Sequence, residues 1–317
     1  MKKIAILLSS ILLVSIFMVG CGNSDAQTKN KDKLTVYTTV YPLQYLAAQI
    51  GGNYVDAHSV YPAGSDAHSF DPSQKDMMNI ADSDLFFYIG LGMEGFVDKA
   101  KQSLKNENVK FAVTTDGLTL PATAHDEDED HDHEEDEDGH DHGDVNPHVW
   151  LDPNYMVTMA GVVKDNLSKE LPEQKPTFEK NYEQVVSQLK TLNSDYKTMA
   201  ASAKHKDFVT AHAAYGYWEN EYGLKQIPIA GISTSDEPSQ KKLTTIVNTI
   251  KKDNIPYILL EQNTNSKIAD VIQKETNTKT MKLHNLETLT QKDMDANRDY
   301  MSIMKDNLAA LAKALNY

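Results

Sequence analysis

Residues 173–204 read "EQKPTFEKNYEQVVSQLKTLNSDYKTMAASAK". Within them Phe178, Tyr182, Val185, Leu189, Leu192, Tyr196 and Met199 recur at alternating spacings of four and three, one apolar seam of α-helical period. The pattern predicts a single helix of about thirty residues, which at 1.5 Å per residue reaches roughly 45 Å. A helix that long crosses a whole protein, so the segments on either side of it are read as joined by a rigid spine.

Both flanks carry the same rhythm. Before the spine, "KLTVYTTVYP", "VDAHSVYPAG", "LFFYIGLG" and "VKFAVTT" are strand candidates separated by helical patterns, with Ser73 as the N-cap of "SQKDMMNIADSD". After it, "DFVTAH", "KQIPIAGIS", "YILLEQ" and "KTMKLH" alternate with helices and the chain closes on "DYMSIMKDNLAALAKAL". Strand alternating with helix predicts an α/β fold: two lobes of parallel βα units, strands buried on both faces, joined by one long helix. A ligand then belongs in the interlobe cleft at the carboxyl ends of the strands. The boundaries are an N-terminal lobe at 33–122 continued at 146–172, the linking helix at 173–204, and a C-terminal lobe at 205–317.

The remaining segments read differently. "MKKIAILLSSILLVSIFMVG" (1–20) has two lysines, a short apolar core and a small residue before Cys21, the sole cysteine; it reads as an export signal ending in a lipobox. Cys21 would become a lipid-bearing N-terminus, tethering the chain outside the cytoplasmic membrane. Residues 21–32 form a polar leash. The tract from His125 to Asp144 holds thirteen acidic residues and no basic one, so it supplies 13 of the 15 net negative charges; the rest, 33 acidic against 31 basic, is near neutral. Residues 123–145 are read as a charged loop with nothing to bury. Its His131, His133, His140 and His142 stay open between weak accessory zinc binding and a solubilising tether. No basic stripe marks a nucleic-acid partner.

Four metal-competent side chains stand where strand candidates give way to loops or helices: His68 in "PAGSDAHSFDPS", His148 in "NPHVWLDP", His212 closing "FVTAH", and Glu287 past "KTMKLH". They lie 80, 64 and 75 residues apart, so only the fold can bring them together. Three imidazoles and a carboxylate can complete a four-coordinate zinc shell, leaving one formal positive charge on the cluster. Without thiolates such a shell opens more easily, as a carrier requires. Taken singly, a lone histidine is more often a surface or hydrogen-bonded residue than a ligand.

With these motifs, "GISTSDEPS" and "RDYMSIMKDNL", nearly the whole chain after the leash resembles the metal-binding lipoproteins of bacterial zinc and manganese ABC importers, the ZnuA-like cluster A-I family. "NPHVWLDP" directly after an acidic His-rich insertion is similar to the zinc branch. The resemblance implies two lobes on a rigid helix and Zn²⁺ as the transported ligand at His68, His148, His212 and Glu287. It also implies delivery to an ABC permease by a monomer. Glu261, at the end of "YILLE", and His284 are alternatives for the fourth position. The manganese branch places Glu and Asp where this chain has His212 and Glu287, so the shell here favours zinc. Lipobox and absence of a cysteine pair imply a Gram-positive cell-surface location.

Two other classes remain to be tested against the fold. A zinc enzyme needs an open coordination position, and no HExxH segment occurs. A surface adhesin has no residue-level support beyond the resemblance. His58 and His205 are read as ordinary histidines, and Asp236 and Glu237 as members of a solvated loop.

Overall fold

The structure, a computed structural model, describes residues 33–121, 145–262 and 267–317. The signal, Cys21, the leash and the four tract histidines His131, His133, His140 and His142 lie outside the described residues. Two four-stranded sheets form. The first holds β1 (Leu34–Thr38), β2 (Val55–Ser59), β3 (Leu85–Tyr88) and β4 (Lys110–Val113); the second holds β5 (Asp207–Thr210), β6 (Lys225–Pro228), β7 (Tyr257–Leu260) and β8 (Lys279–Lys282). Every pairing is parallel, and the orders β2-β1-β3-β4 and β6-β5-β7-β8 are the same topology twice. Each order reverses direction between its first and third strands, which opens a crevice at their carboxyl ends. Burial on both faces holds for β3 but not for β8, an edge strand on which Lys279, Thr280 and Lys282 face solvent.

The helices are α1 (Tyr41–Gly51), α2 (Gln74–Ala81), α3 (Val97–Ser103), α4 (Pro153–Glu170), α5 (Lys175–Ser202), α6 (Gly216–Tyr222), α7 (Gln240–Asp253), α8 (Lys267–Thr276), α9 (Gln291–Asp295) and α10 (Tyr300–Ala314). Their starts follow capping chemistry. Ser73 and Asp76 form a reciprocal capping box at α2, and Asp152 accepts the Asn154 N–H just before Pro153 opens α4. Among the described residues no helix is long and apolar enough to cross a membrane.

The spine is α5, of 28 residues and about 42 Å at 1.5 Å per residue. Six members of its apolar seam are buried; Tyr182 is half-buried, its ring lying 5.1 Å from the Lys164 ammonium. The helix packs on α1 and α4 of the first half and on α6 and α10 of the second.

Contacts between the halves are core-like. Trp150 and Trp218 are fully buried, and each indole N–H crosses the seam: Trp150 Nε1 to the Asn285 carbonyl and Trp218 Nε1 to the Leu151 carbonyl, both at 2.8 Å. Tyr300 Oη donates to the Trp150 carbonyl at 2.7 Å. Aromatic bodies thus bury area while their polar ends are satisfied, which avoids the cost of an unpaired buried donor. One apolar core runs through both halves; a separate isoleucine-rich cluster joins Ile258 of the second sheet to Ile246 of α7 and Ile272 of α8.

One buried acid braces the carboxyl end of the first sheet. Glu94 Oε1 accepts the Thr39 hydroxyl at 2.7 Å and the Ile89 N–H at 2.8 Å, and Oε2 accepts the Gly90 N–H at 2.8 Å. Burial raises its pKa from 4.5 to about 7, against the lowering effect of those donors. Because the folded pKa lies above the unfolded one, the folded state holds the proton more tightly, and stability falls as pH rises through the interval between them. Urea unfolding of the metal-free protein is therefore expected to lose stability between pH 4.5 and 7, by up to a few kcal/mol from this group. Glu94→Gln should flatten that slope; an unchanged slope would refute the assignment.

Candidate metal centre

Each of the four residues reaches the centre by a different local device. His148 follows Asn146 and Pro147 and precedes the short 3-10 turn Val149–Leu151. It therefore enters from a loop, not from the strand end read in the sequence. Its N–H donates to Asn146 Oδ1 at 3.0 Å, and Pro147 has no N–H with which to extend a ladder. His212 lies two residues beyond β5, because the Thr210 hydroxyl turns forward to the His212 carbonyl at 2.9 Å and the strand stops there. Glu287 lies five residues past β8, after Leu286 at φ +63°. That left-handed backbone is disfavoured for a branched residue and is held by the Leu286 N–H donating to His284 Nδ1 at 2.9 Å. His68 sits in the irregular segment between β2 and α2.

The fold brings His68, His148, His212 and Glu287 together, with one ligand-competent atom of each within 4.8 Å of all the others. Five of the six separations are short. Nε2 of His148 is 3.2 Å from that of His68 and 3.1 Å from that of His212. Glu287 Oε1 lies 3.5, 3.3 and 3.6 Å from His68, His148 and His212. Ligands about 2.0–2.1 Å from a tetrahedral zinc stand about 3.3 Å apart, so the cluster already has the edge length of such a shell.

Hydrogen bonds on the far side of two rings fix which nitrogen faces the centre. Asn146 Nδ2 donates to the Ala213 carbonyl at 2.8 Å, which leaves Asn146 Oδ1 as acceptor. His148 Nδ1, 2.7 Å from that oxygen, must then carry the hydrogen, and its Nε2 lone pair points inward. His212 Nδ1 is bonded to Glu261, which orients its Nε2 in the same way. Glu261 thus stands behind a histidine, outside the four-atom cluster, and its other oxygen accepts Asn285 Nδ2 at 3.2 Å. His284, the other alternative for the fourth position, turns its Nε2 to Asp293 at 3.4 Å and supports the turn leading to Glu287.

Electrostatics agree with a cation site. Burial drives His148 down to about 3, so it is neutral and ready to ligate. Burial alone would lower His212, but the Glu261 charge and hydrogen bond, with the Glu287 charge, leave it raised. Burial would raise Glu287, but its close contacts with His148 and His68 and its electrostatic interaction with His148 and His212 hold it well below the usual carboxylate range. His148, His212 and Glu287 are buried, and 10 % of the His68 side chain is exposed. Beside the cluster opens a cavity of about 460 Å³ lined by His212, Glu261 and Glu287 from one half and Asp66 from the other.

The remaining sequence candidates lie elsewhere. His58 stacks on Tyr37 and pairs with Asp56, and His205 stacks on Tyr317. Asp236 braces its own loop by accepting the Ser233 N–H at 2.8 Å. Asn146 was not singled out in the sequence, although it opens the "NPHVWLDP" motif two residues before His148, because an amide behind a ring is defined by the nitrogen it meets.

Fold and site together define a two-lobed metal-ion-binding protein. The chain belongs to the ZnuA family, "zinc-uptake complex component A", whose model matches residues 36–314. The family is one of transport components, not of enzymes. The chain is 38% identical to the zinc-binding lipoprotein AdcA of Streptococcus pneumoniae over 98% of its own length and 60% of that protein's, so it spans about three fifths of this relative. It is 37% identical to the high-affinity zinc uptake system protein ZnuA of Bacillus subtilis, over 95% of this chain and 94% of that one. The Zn(II)-bound ZnuA-like domain of S. pneumoniae AdcA superposes with a TM-score of 0.74 at 34% identity, over 90% of this chain and all of that domain.

A group that only orients a metal-binding histidine is typically worth about 10–100-fold in affinity. Glu261→Ala should weaken zinc binding by about that factor in chelator competition, and Glu261→Gln, which keeps an acceptor, by less. Wild-type affinity in both would exclude an orienting role.

Proposed function

We propose that this chain captures Zn²⁺ outside the cell membrane, holding it through Nε2 of His68, His148 and His212 and a carboxylate oxygen of Glu287, and passes it to an ABC permease. The observation that carries the reading is the set of five separations between 3.1 and 3.6 Å, together with two rings whose outward nitrogens are committed to Asn146 and Glu261. Four protein donors fill a tetrahedral shell, which leaves no position for a reacting water and disfavours hydrolysis. Three nitrogens and one oxygen suit zinc better than manganese, whose preferred shells are richer in oxygen. The relatives' names, a zinc-binding lipoprotein and a zinc uptake system protein, support the same cargo.

Calorimetry on the mature protein should find one tight zinc site that H68A/H148A/H212A abolishes, with manganese bound far more weakly. Retention of full zinc affinity by that variant would end the reading. Lipidation of Cys21 supplies the anchor in this account, so Cys21→Ser should release the protein into the culture medium; a membrane fraction unchanged in that variant would exclude it.

A further inference from the structure

The four proposed ligands are not held equally. His148 and His212 each have a partner on the outward ring nitrogen. Among the described residues none bonds Nδ1 of His68, so the aim of that ring depends on its backbone. The backbone belongs to the irregular segment between Ser59 and Gln74, and it crosses to the second half at three successive residues. The Gly64 N–H donates to the Leu289 carbonyl at 2.9 Å, and the Ser65 carbonyl accepts the Thr288 hydroxyl at 3.0 Å. The third tie, and the last before His68, is Asp66. Its Oδ1 accepts the His68 N–H at 2.9 Å, while its Oδ2 accepts the Thr234 hydroxyl at 2.8 Å. Beyond His68 the segment is fixed by Phe70, whose ring packs on Tyr61 and Phe96 of its own half.

Thr234 is itself on a braced loop. The Gly231 N–H donates to the Asp236 carbonyl at 3.1 Å, and a Cβ built on Gly231 would stand 2.6 Å from that of Asp236, so a larger residue here would have to displace Asp236. The Gly231 carbonyl accepts the Ala213 N–H at 2.8 Å, next to His212. A continuous run of bonds therefore joins the backbone of His212, through Ala213, Gly231, Thr234 and Asp66, to the backbone of His68.

We infer that Asp66 and Thr234 form a clasp that positions His68 across the interlobe seam and sets how fast zinc leaves, a role that rests on the four-ligand reading above. A single exposed hydrogen bond contributes little to global stability. Here it restrains the one ligand ring whose outward nitrogen has no bond among the described residues, so its loss acts on the opening of the shell. His148, His212 and Glu287 lie in buried surroundings, which makes His68 the ligand that lets go first.

Zinc dissociation, followed by stopped-flow capture with a chelator in the mature full chain, tests this. A hydrogen bond worth about 1 kcal/mol corresponds to roughly fivefold, so Thr234→Val and Asp66→Ala should each raise the dissociation rate about fivefold or more and leave association unchanged. Thr234→Ser keeps the hydroxyl and should restore the wild-type rate. Adding T234V to D66A should have no further effect, and in an H68A background neither should change the rate. Wild-type rates in both single variants, or a further acceleration in the H68A background, would overturn the clasp. Failure of wild-type protein to bind zinc, or an H68A variant with unaltered zinc kinetics, would instead overturn the ligand assignment beneath it.

Discussion

Two imidazole nitrogens and a carboxylate oxygen meet at separations of 3.1–3.6 Å, and the hydrogens of both rings are already committed on the far side. Lone pairs that close in a buried setting repel one another, and only positive charge at their centre reconciles them. A metal cation does so fully. A proton on His212, favoured by Glu261 and Glu287, does so in part. Much of the surrounding structure follows from keeping that centre buried, neutralised and correctly aimed.

Rigidity comes from the seam between the halves. Trp150, Trp218 and Tyr300 are buried across it, with their polar atoms bonded to carbonyls of the facing segments, and α5 packs on helices of both halves. His148 stands two residues from Trp150, and the Tyr41 N–H ties α1 to the Glu287 carbonyl at 2.9 Å. His148 and Glu287 share the stability of a continuous core, whereas His68 is carried by loop ties near solvent. A change confined to the His68 segment would break the ties of Gly64, Ser65 and Asp66 and leave the buried contacts of Trp150, Trp218 and Tyr300 in place.

Most of the architecture was legible because periodicity encodes it. The alternating seam from Phe178 to Met199 identified α5, and the four short apolar runs on either side became eight parallel strands. The ends were less legible: β5 stops at Thr210 rather than His212, and His148 has no strand before it, because a threonine hydroxyl and a proline decide those points locally. The short α9 has too few residues and no buried face to show a helical period, although its Thr290–Asp293 capping box is present in the sequence. At the site, His68, His148, His212 and Glu287 could be picked out by motif. Glu261, which the sequence left as an alternative ligand, is distinguished only by the ring nitrogen it meets. The Asp66–Thr234 pair depends on a contact across 168 residues, and the Thr39 bond to Glu94 and the Asn146 bond to Ala213 span 55 and 67, although Asn146 also meets His148 only two residues away.

X-ray absorption at the zinc edge of the loaded protein addresses the central claim most directly. Four nitrogen or oxygen neighbours at about 2.0–2.1 Å, with the outer-ring scattering of three imidazoles, are the result this account requires. Two or fewer imidazoles, or a fifth oxygen from solvent, would contradict it.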